Sequence, residues 1–194
     1  MPDVKEFVAS MRKVGVAENL IEQILQVEYE KHTNPCQENA NYFARAMPKC
    51  EELLGFERTA DIMFGRACCK SGFRLENAKK MHREHGHRLL SEKLEILGTL
   101  KYMGKPGINE DGDLETVAVG SYGFDKMSCP CWRLKGCVPA DGPMPLAYCL
   151  CCAGHFQFHY QKALNLKLRV KHVKSSIINS GGKEPCVFVY QILE

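Results

Sequence analysis

The chain carries little excess charge of either sign: 26 lysines and arginines stand against 23 aspartates and glutamates, a formal net charge of +3. So even a balance gives no strong pull toward nucleic acid or an anionic membrane surface, and neither is expected as a partner. Long hydrophobic runs are also missing. The most apolar stretch, Met144 to Phe158, is shorter than a bilayer-spanning helix and is interrupted by Gly154, His155 and Gln157. The opening residues Met1 to Gly15 lack the continuous apolar segment and small-residue cleavage site of a secretion signal, so a cytoplasmic protein is expected. There is no glycine-rich phosphate loop, no Gly-x-Ser-x-Gly elbow and no His-Glu-x-x-His, which leaves nucleotide hydrolysis, serine hydrolysis and metalloprotease chemistry without support. No internal repeat or low-complexity tract is visible either.

What is present is a chain of 194 residues, 45% hydrophobic, enough to bury a sizeable core within one integrated domain. Up to about Gly98 the pattern is helical, with Val14, Leu20, Ile21, Ile24, Leu25 and Tyr29 recurring at helical spacings. Asn34 before Pro35 reads as a helix start, Pro48 as the opening of a second helix stopped by Gly55, and Thr59 as the cap of a third reaching Cys68. A further helix is expected around Leu75 to Leu97.

Beyond Tyr102 the composition changes. Gly104 to Gly112 reads as a loop, Leu114 to Val119 as a strand, and Cys129 to Pro145 as a proline- and cysteine-rich loop. A helix is expected over Leu146 to Asn165, then alternation from Leu166 to Lys171, a turn at Asn179 to Gly182, and a second strand at Cys186 to Leu193. The fold class read from this pattern is α+β: a helical part over 1–100 packed on an antiparallel sheet with one long helix over 101–194.

Eleven cysteines are many for this length, but their odd number and uneven spread argue against a secreted disulfide framework and for metal or thiol chemistry in a reducing compartment. Six of them, Cys129, Cys131, Cys137, Cys149, Cys151 and Cys152, fall within 24 residues. A closed zinc site takes four soft ligands in a tetrahedron, so the two Cys-x-Cys pairs suggest Cys129, Cys131, Cys149 and Cys151 as a metal set, zinc ahead of an iron–sulfur (Fe-S) cluster. The one-residue spacing is tighter than the usual zinc knuckle. Alternatively, Cys149 or Cys151 at a helix start is a nucleophile, with His155 as general base. The plainer account makes Cys149 and Cys152 small core residues and His159 a polar-face residue.

Arg66, next to Cys68 and Cys69, favours a thiolate there or binds an acidic ligand, so Arg66 and Cys69 are candidate ligand-binding residues. His82, His85 and His87 read as a solvated face, Asn109 to Asp113 as a turn rather than a calcium loop, and the basic residues Lys167, Arg169, Lys171 and Lys174 as a solvated strand face.

Two segments carry a family resemblance. Leu168 to Ser176 followed by Asn179 to Phe188 resembles the closing hairpin of small-molecule-binding domains of the 4-vinyl reductase type. The longer run from Cys129-Pro-Cys131 through Tyr148-Cys-Leu-Cys151, Gly154 and that hairpin, with Gly65 to Cys69, is similar to a Cys-rich prokaryotic family related to L-2-amino-thiazoline-4-carboxylic acid hydrolase-like proteins. The resemblance implies an α+β ligand-binding fold with a small-molecule ligand between helices and sheet, and a hydrolase acting on a C–N bond as the alternative activity. The resulting expectation is a small-molecule-binding or sensing protein with a Cys-rich metal site, compatible with a homo-oligomer; a purely structural cysteine-rich core is the third option.

Overall fold

The computed structural model describes residues 2–28, 31–68, 70–118 and 129–193. Candidate residue Cys69, along with Tyr29 and Val119, lies outside them. Among the described residues, six α-helices and a four-stranded antiparallel sheet make the expected α+β fold, with the sheet in the C-terminal part.

The helices are α1 (Pro2–Lys13), α2 (Glu18–Leu25), α3 (Pro35–Gly65), α4 (Phe73–His85), α5 (Leu90–Thr99) and α6 (Leu150–Leu164). Asn34 caps α3 as its sequence suggests, its side-chain oxygen accepting from the Cys36 amide at 3.0 Å. Pro48 does not open a new helix but lies inside α3, because the buried face of Phe43, Ala46, Met47 and Cys50 runs through it without a break. The interruption is at Gly55, whose φ of 75° is open to glycine and costly for other residues. Thr59 is not a cap: its hydroxyl donates to the Gly55 carbonyl one turn back, at 2.8 Å. The helix expected around Leu75 to Leu97 is two helices, α4 ending at the cap residue Gly86 and α5 starting after Leu89.

The sheet order is β1-β2-β4-β3, with β1 (Lys105–Ile108), β2 (Leu114–Ala118), β3 (Lys167–Ser175) and β4 (Cys186–Leu193). The segment read as a loop from Gly104 contains β1, which pairs with β2 from Lys105↔Val117 to Ile108↔Leu114. Pro106 is tolerated because β1 is an edge strand. Around the turn between them, the Asn109 side chain accepts from the amides of Asp111 and Asp113. Along β3, Leu168, Val170 and Val173 are buried and the lysines and arginine exposed, with a register shift where Lys171 and His172 both face out. Lys171 pairs with Asp113, Lys174 with Glu115 and Arg169 with Glu57, so acidic neighbours balance much of this basic face.

One continuous core runs from Phe7 and Phe43 in the helices to Phe188 and Tyr190 in the sheet. Helix α6 lies between them: Tyr160 donates to the Met103 carbonyl and shares a hydrogen bond with Thr116, and Tyr190 donates to the Ala153 carbonyl. Gly154 sets how closely α6 approaches α3, since a Cβ there would fall 2.9 Å from the Phe64 Cα. Among the described residues no helix is long and apolar enough to cross a membrane.

Candidate functional site: a buried thiol cluster beside two arginines

The start of α6 is preceded by a 3₁₀ turn, Leu146–Cys149, so the chain enters the helix already coiled, with Tyr148, Cys149, Leu150 and Cys151 all buried. The cysteine loop packs on the first half of α3. Gln37 donates to the Val138 carbonyl at 2.6 Å, Asn41 accepts from the Ala140 amide at 3.0 Å, and Arg45 pairs with Asp141. Within the loop the Leu134 and Lys135 amides donate to the Cys131 carbonyl, a tight turn completed by the left-handed Lys135 and Gly136. Cys137 falls outside the cluster, receiving the Asn34 side-chain amide at 3.5 Å.

Cys149, Cys151 and Cys186 are buried and Cys129, Cys131 and Cys152 half-buried, and each of the six lies within reach of the charge of others in the set. The four cysteines singled out as metal ligands fall in the same region of the fold, within reach of one another's charge. Cys186 joins them from the first residue of β4, its sulfur accepting from the Ile177 amide at 3.5 Å. The Cys131 thiol is placed to accept from the Arg133 and Leu134 amides and meets the Tyr148 hydroxyl at 3.8 Å. Soft sulfur with amide donors suits a thiophilic metal. The arrangement does not: among the described residues, no three His, Cys, Asp or Glu side chains stand as a group that could hold a metal ion.

Two buried arginines face this cluster. Arg133 donates from Nε to Asp3 at 2.9 Å and from Nη2 to Glu6 at 2.6 Å, and the same Asp3 carboxylate takes the Asn39 amide at 2.5 Å. Arg66 differs in having no carboxylate partner among the described residues. Its guanidinium lies over Phe43 at 4.6 Å and Phe7 at 5.3 Å, gives Nη2 to the Asp3 backbone carbonyl at 3.3 Å and Nη1 to the Met63 sulfur at 3.8 Å, and leaves Nε buried without a hydrogen-bond partner. Arg66 is only 5% exposed. Its charge acts on the Cys151 thiol, which is distant in sequence.

The electrostatic consequence separates Cys151 from the rest. Burial pushes the Cys129 thiol up to about 12 and raises Cys131, Cys149 and Cys186. Cys151 is held down at about 7, first by a hydrogen bond from the Cys152 thiol and then, against burial, by the positive charges of Arg66 and Arg133. Cys152 moves up because it donates that bond. Proximity to a helix start does not by itself make a thiolate: Cys149, the cap residue of α6, stays protonated through burial despite its bond with Ser176.

His155 is not positioned as a base for either thiol. Its Nδ1 meets the Cys68 carbonyl at 2.9 Å and its Nε2 meets Arg74 Nη1 at 2.6 Å, so a neutral ring donates at one nitrogen and accepts at the other. Burial, with the positive charges of Arg74 and Lys70 adding to it, holds His155 down at about 3. His159 is fully buried with its ring 4.8 Å from that of His155, and is a core residue rather than the polar-face residue expected.

Sequence reasoning missed Cys186, Ser176, Asp3 and the role of Arg133. Asp3 and Arg133 are 130 positions apart, and no local pattern signals a pair that only the tertiary fold brings together. No family model, no curated protein and no solved structure matches this chain.

Proposed function

We propose that this protein binds or senses a small thiol-reactive molecule through its buried cysteine cluster, with Cys151 as the thiolate that engages it. The observation that carries this reading is a buried arginine with, among the described residues, no carboxylate bonded to it, whose charge acts on the buried Cys151 thiol. An uncompensated guanidinium is costly inside a protein, and a thiolate beside it relieves that cost. The ten described cysteines are all unbridged, which fits a reducing compartment such as the cytoplasm.

If the bound molecule is a cyclic amidine or amide, the same thiolate would attack its C–N carbon, the hydrolase form of this reading that the family resemblance suggests. The attacking group would then be Cys151 rather than Cys149, and the proton for the leaving nitrogen would come from a group other than His155.

A second reading, zinc held by Cys129, Cys131, Cys149 and Cys151, is favoured by the amide donors around the Cys131 sulfur, and it requires the four thiols to draw together on binding. One experiment separates the two: anaerobic purification without chelator, assay of zinc, iron and acid-labile sulfide, then limited iodoacetamide labelling resolved by peptide mass spectrometry. A metal-free chain with one fast site at Cys151 is expected. Near-stoichiometric zinc with all four thiols protected would replace the thiol reading with the metal one.

A further inference from the structure

Two buried polar atoms lack a hydrogen-bond partner among the described residues although their side chains bond the same residue. They are Arg66 Nε and Asn39 Oδ1, on residues that are 5% and 7% exposed. A buried donor or acceptor left unmet bears its full desolvation cost. Asp3 joins the two: its carboxylate Oδ2 accepts from Asn39 Nδ2 at 2.5 Å, and its backbone carbonyl accepts from Arg66 Nη2 at 3.3 Å. Phe43 joins them again. The Arg66 guanidinium carbon lies 4.6 Å from its ring, and Phe43 follows Asn39 by four residues on α3, ahead of the interruption at Gly55, so Asn39 and Phe43 share a helix face.

The two atoms ask for opposite things. Nε carries a hydrogen and needs an acceptor, whereas Oδ1 needs a donor. Turning the Asn39 amide over does not help, because its oxygen would then face the Asp3 carboxylate. Charge is missing as well: the carboxylates of Asp3 and Glu6 both bond Arg133, while Arg66 has a backbone carbonyl, a thioether sulfur and two aromatic rings. A water molecule would meet both atoms but would bring no charge. The Nε hydrogen lies in the plane of the guanidinium, on the edge where planar anions take the arginine fork.

We infer that Arg66 and Asn39 form a binding site, beside Asp3, for a small planar oxyanion that carries its own hydroxyl, an ion of the hydrogencarbonate type. A charged oxygen of the ion accepts from Arg66 Nε, and its hydroxyl donates to Asn39 Oδ1. The neighbours Asp3, Phe7 and Phe43 are all buried, which favours a small flat ion over a tetrahedral phosphate. Asp3 and Phe7 both belong to α1, so entry of the ion requires this helix to lift from α3. None of these contacts uses a cysteine sulfur, and the inference does not rest on the thiol reading.

The test is urea unfolding of the full-length chain in sealed vessels, at fixed pH and ionic strength, with sodium hydrogencarbonate, nitrate, phosphate or chloride. Nitrate is planar and singly charged but has no hydroxyl, so it leaves Asn39 Oδ1 unmet. With hydrogencarbonate the midpoint should climb by roughly 0.6 M urea for each tenfold of anion above its Kd. Nitrate should bind at least about tenfold more weakly, and phosphate and chloride should leave the midpoint unchanged. Arg66→Lys keeps the charge but loses the fork, and should raise the hydrogencarbonate concentration needed by roughly tenfold or more. If that variant does not fold, the anion series on the native chain decides alone. A midpoint that ignores hydrogencarbonate, or rises alike in all four salts, overturns the inference and leaves an ordered water as the partner of the two atoms. Nitrate or phosphate binding as tightly as hydrogencarbonate, or a full response in Arg66→Lys, overturns it too.

Discussion

Helix α6 carries two buried polar groups a single turn apart, and burial treats them in opposite ways. At its start Cys151 is held as a thiolate candidate at about 7, while one turn on His155 is held neutral, down at about 3. The difference lies in the neighbours. Cys151 receives a hydrogen bond from Cys152 and the charge of Arg66 and Arg133; His155 has a carbonyl on one side and the positive Arg74 on the other. A buried site keeps charge where hydrogen-bond donors and opposite charge outweigh burial, and here the Cys152 thiol leads, with Arg66 and Arg133 adding to it.

The sharpest way to break this comparison is acid. Because the folded value of His155 lies below that of the unfolded chain, unfolding takes up a proton between about pH 6.5 and 3, and stability falls as pH drops through that window. Urea denaturation should show a loss of roughly 3 kcal/mol or more across it, and His155→Gln, which can still donate and accept, should flatten that limb. At the thiol end the sign differs: the low value of Cys151 adds stability present above the unfolded value of about 9 and lost as pH falls through 7, whereas raised Cys129 loses stability as pH climbs from 9 to about 12.

Next in size, Arg133→Met strands the buried Asp3 carboxylate and should cost roughly 3 kcal/mol in urea unfolding. Cys152→Ala removes the leading support of the Cys151 thiolate and should slow its alkylation at neutral pH by about tenfold, or about 1.4 kcal/mol. Tyr148→Phe deletes only the hydroxyl on Cys131 and should change stability by no more than about 1 kcal/mol. A large effect from Tyr148→Phe with none from Cys152→Ala would invert the ranking of the two contacts.

Much of the architecture was legible because it is written locally. Asn34 with Pro35, the Leu168 and Val170 alternation, and the limits of β4 follow from capping and period-two patterning. Strand β1 was hidden because Pro106 and Gly107 signal a loop until an edge position excuses them. In the site, the clustering of six thiols within 24 residues was visible, but which of them holds charge was not. That depends on Arg66, whose sequence neighbours are Cys68 and Cys69 but whose charge reaches Cys151 through the fold, and on Asp3 and Glu6, which engage Arg133 and leave Arg66 free of a carboxylate.

The most direct measurement is the pH dependence of iodoacetamide labelling at each cysteine, resolved by peptide mass spectrometry on the native, reduced chain. The account predicts that Cys151 reaches half its maximal rate near pH 7 while Cys129 and Cys149 stay unlabelled until well above pH 9 and Cys186 labels later than a free cysteine. A Cys151 that labels no earlier than its neighbours would contradict it.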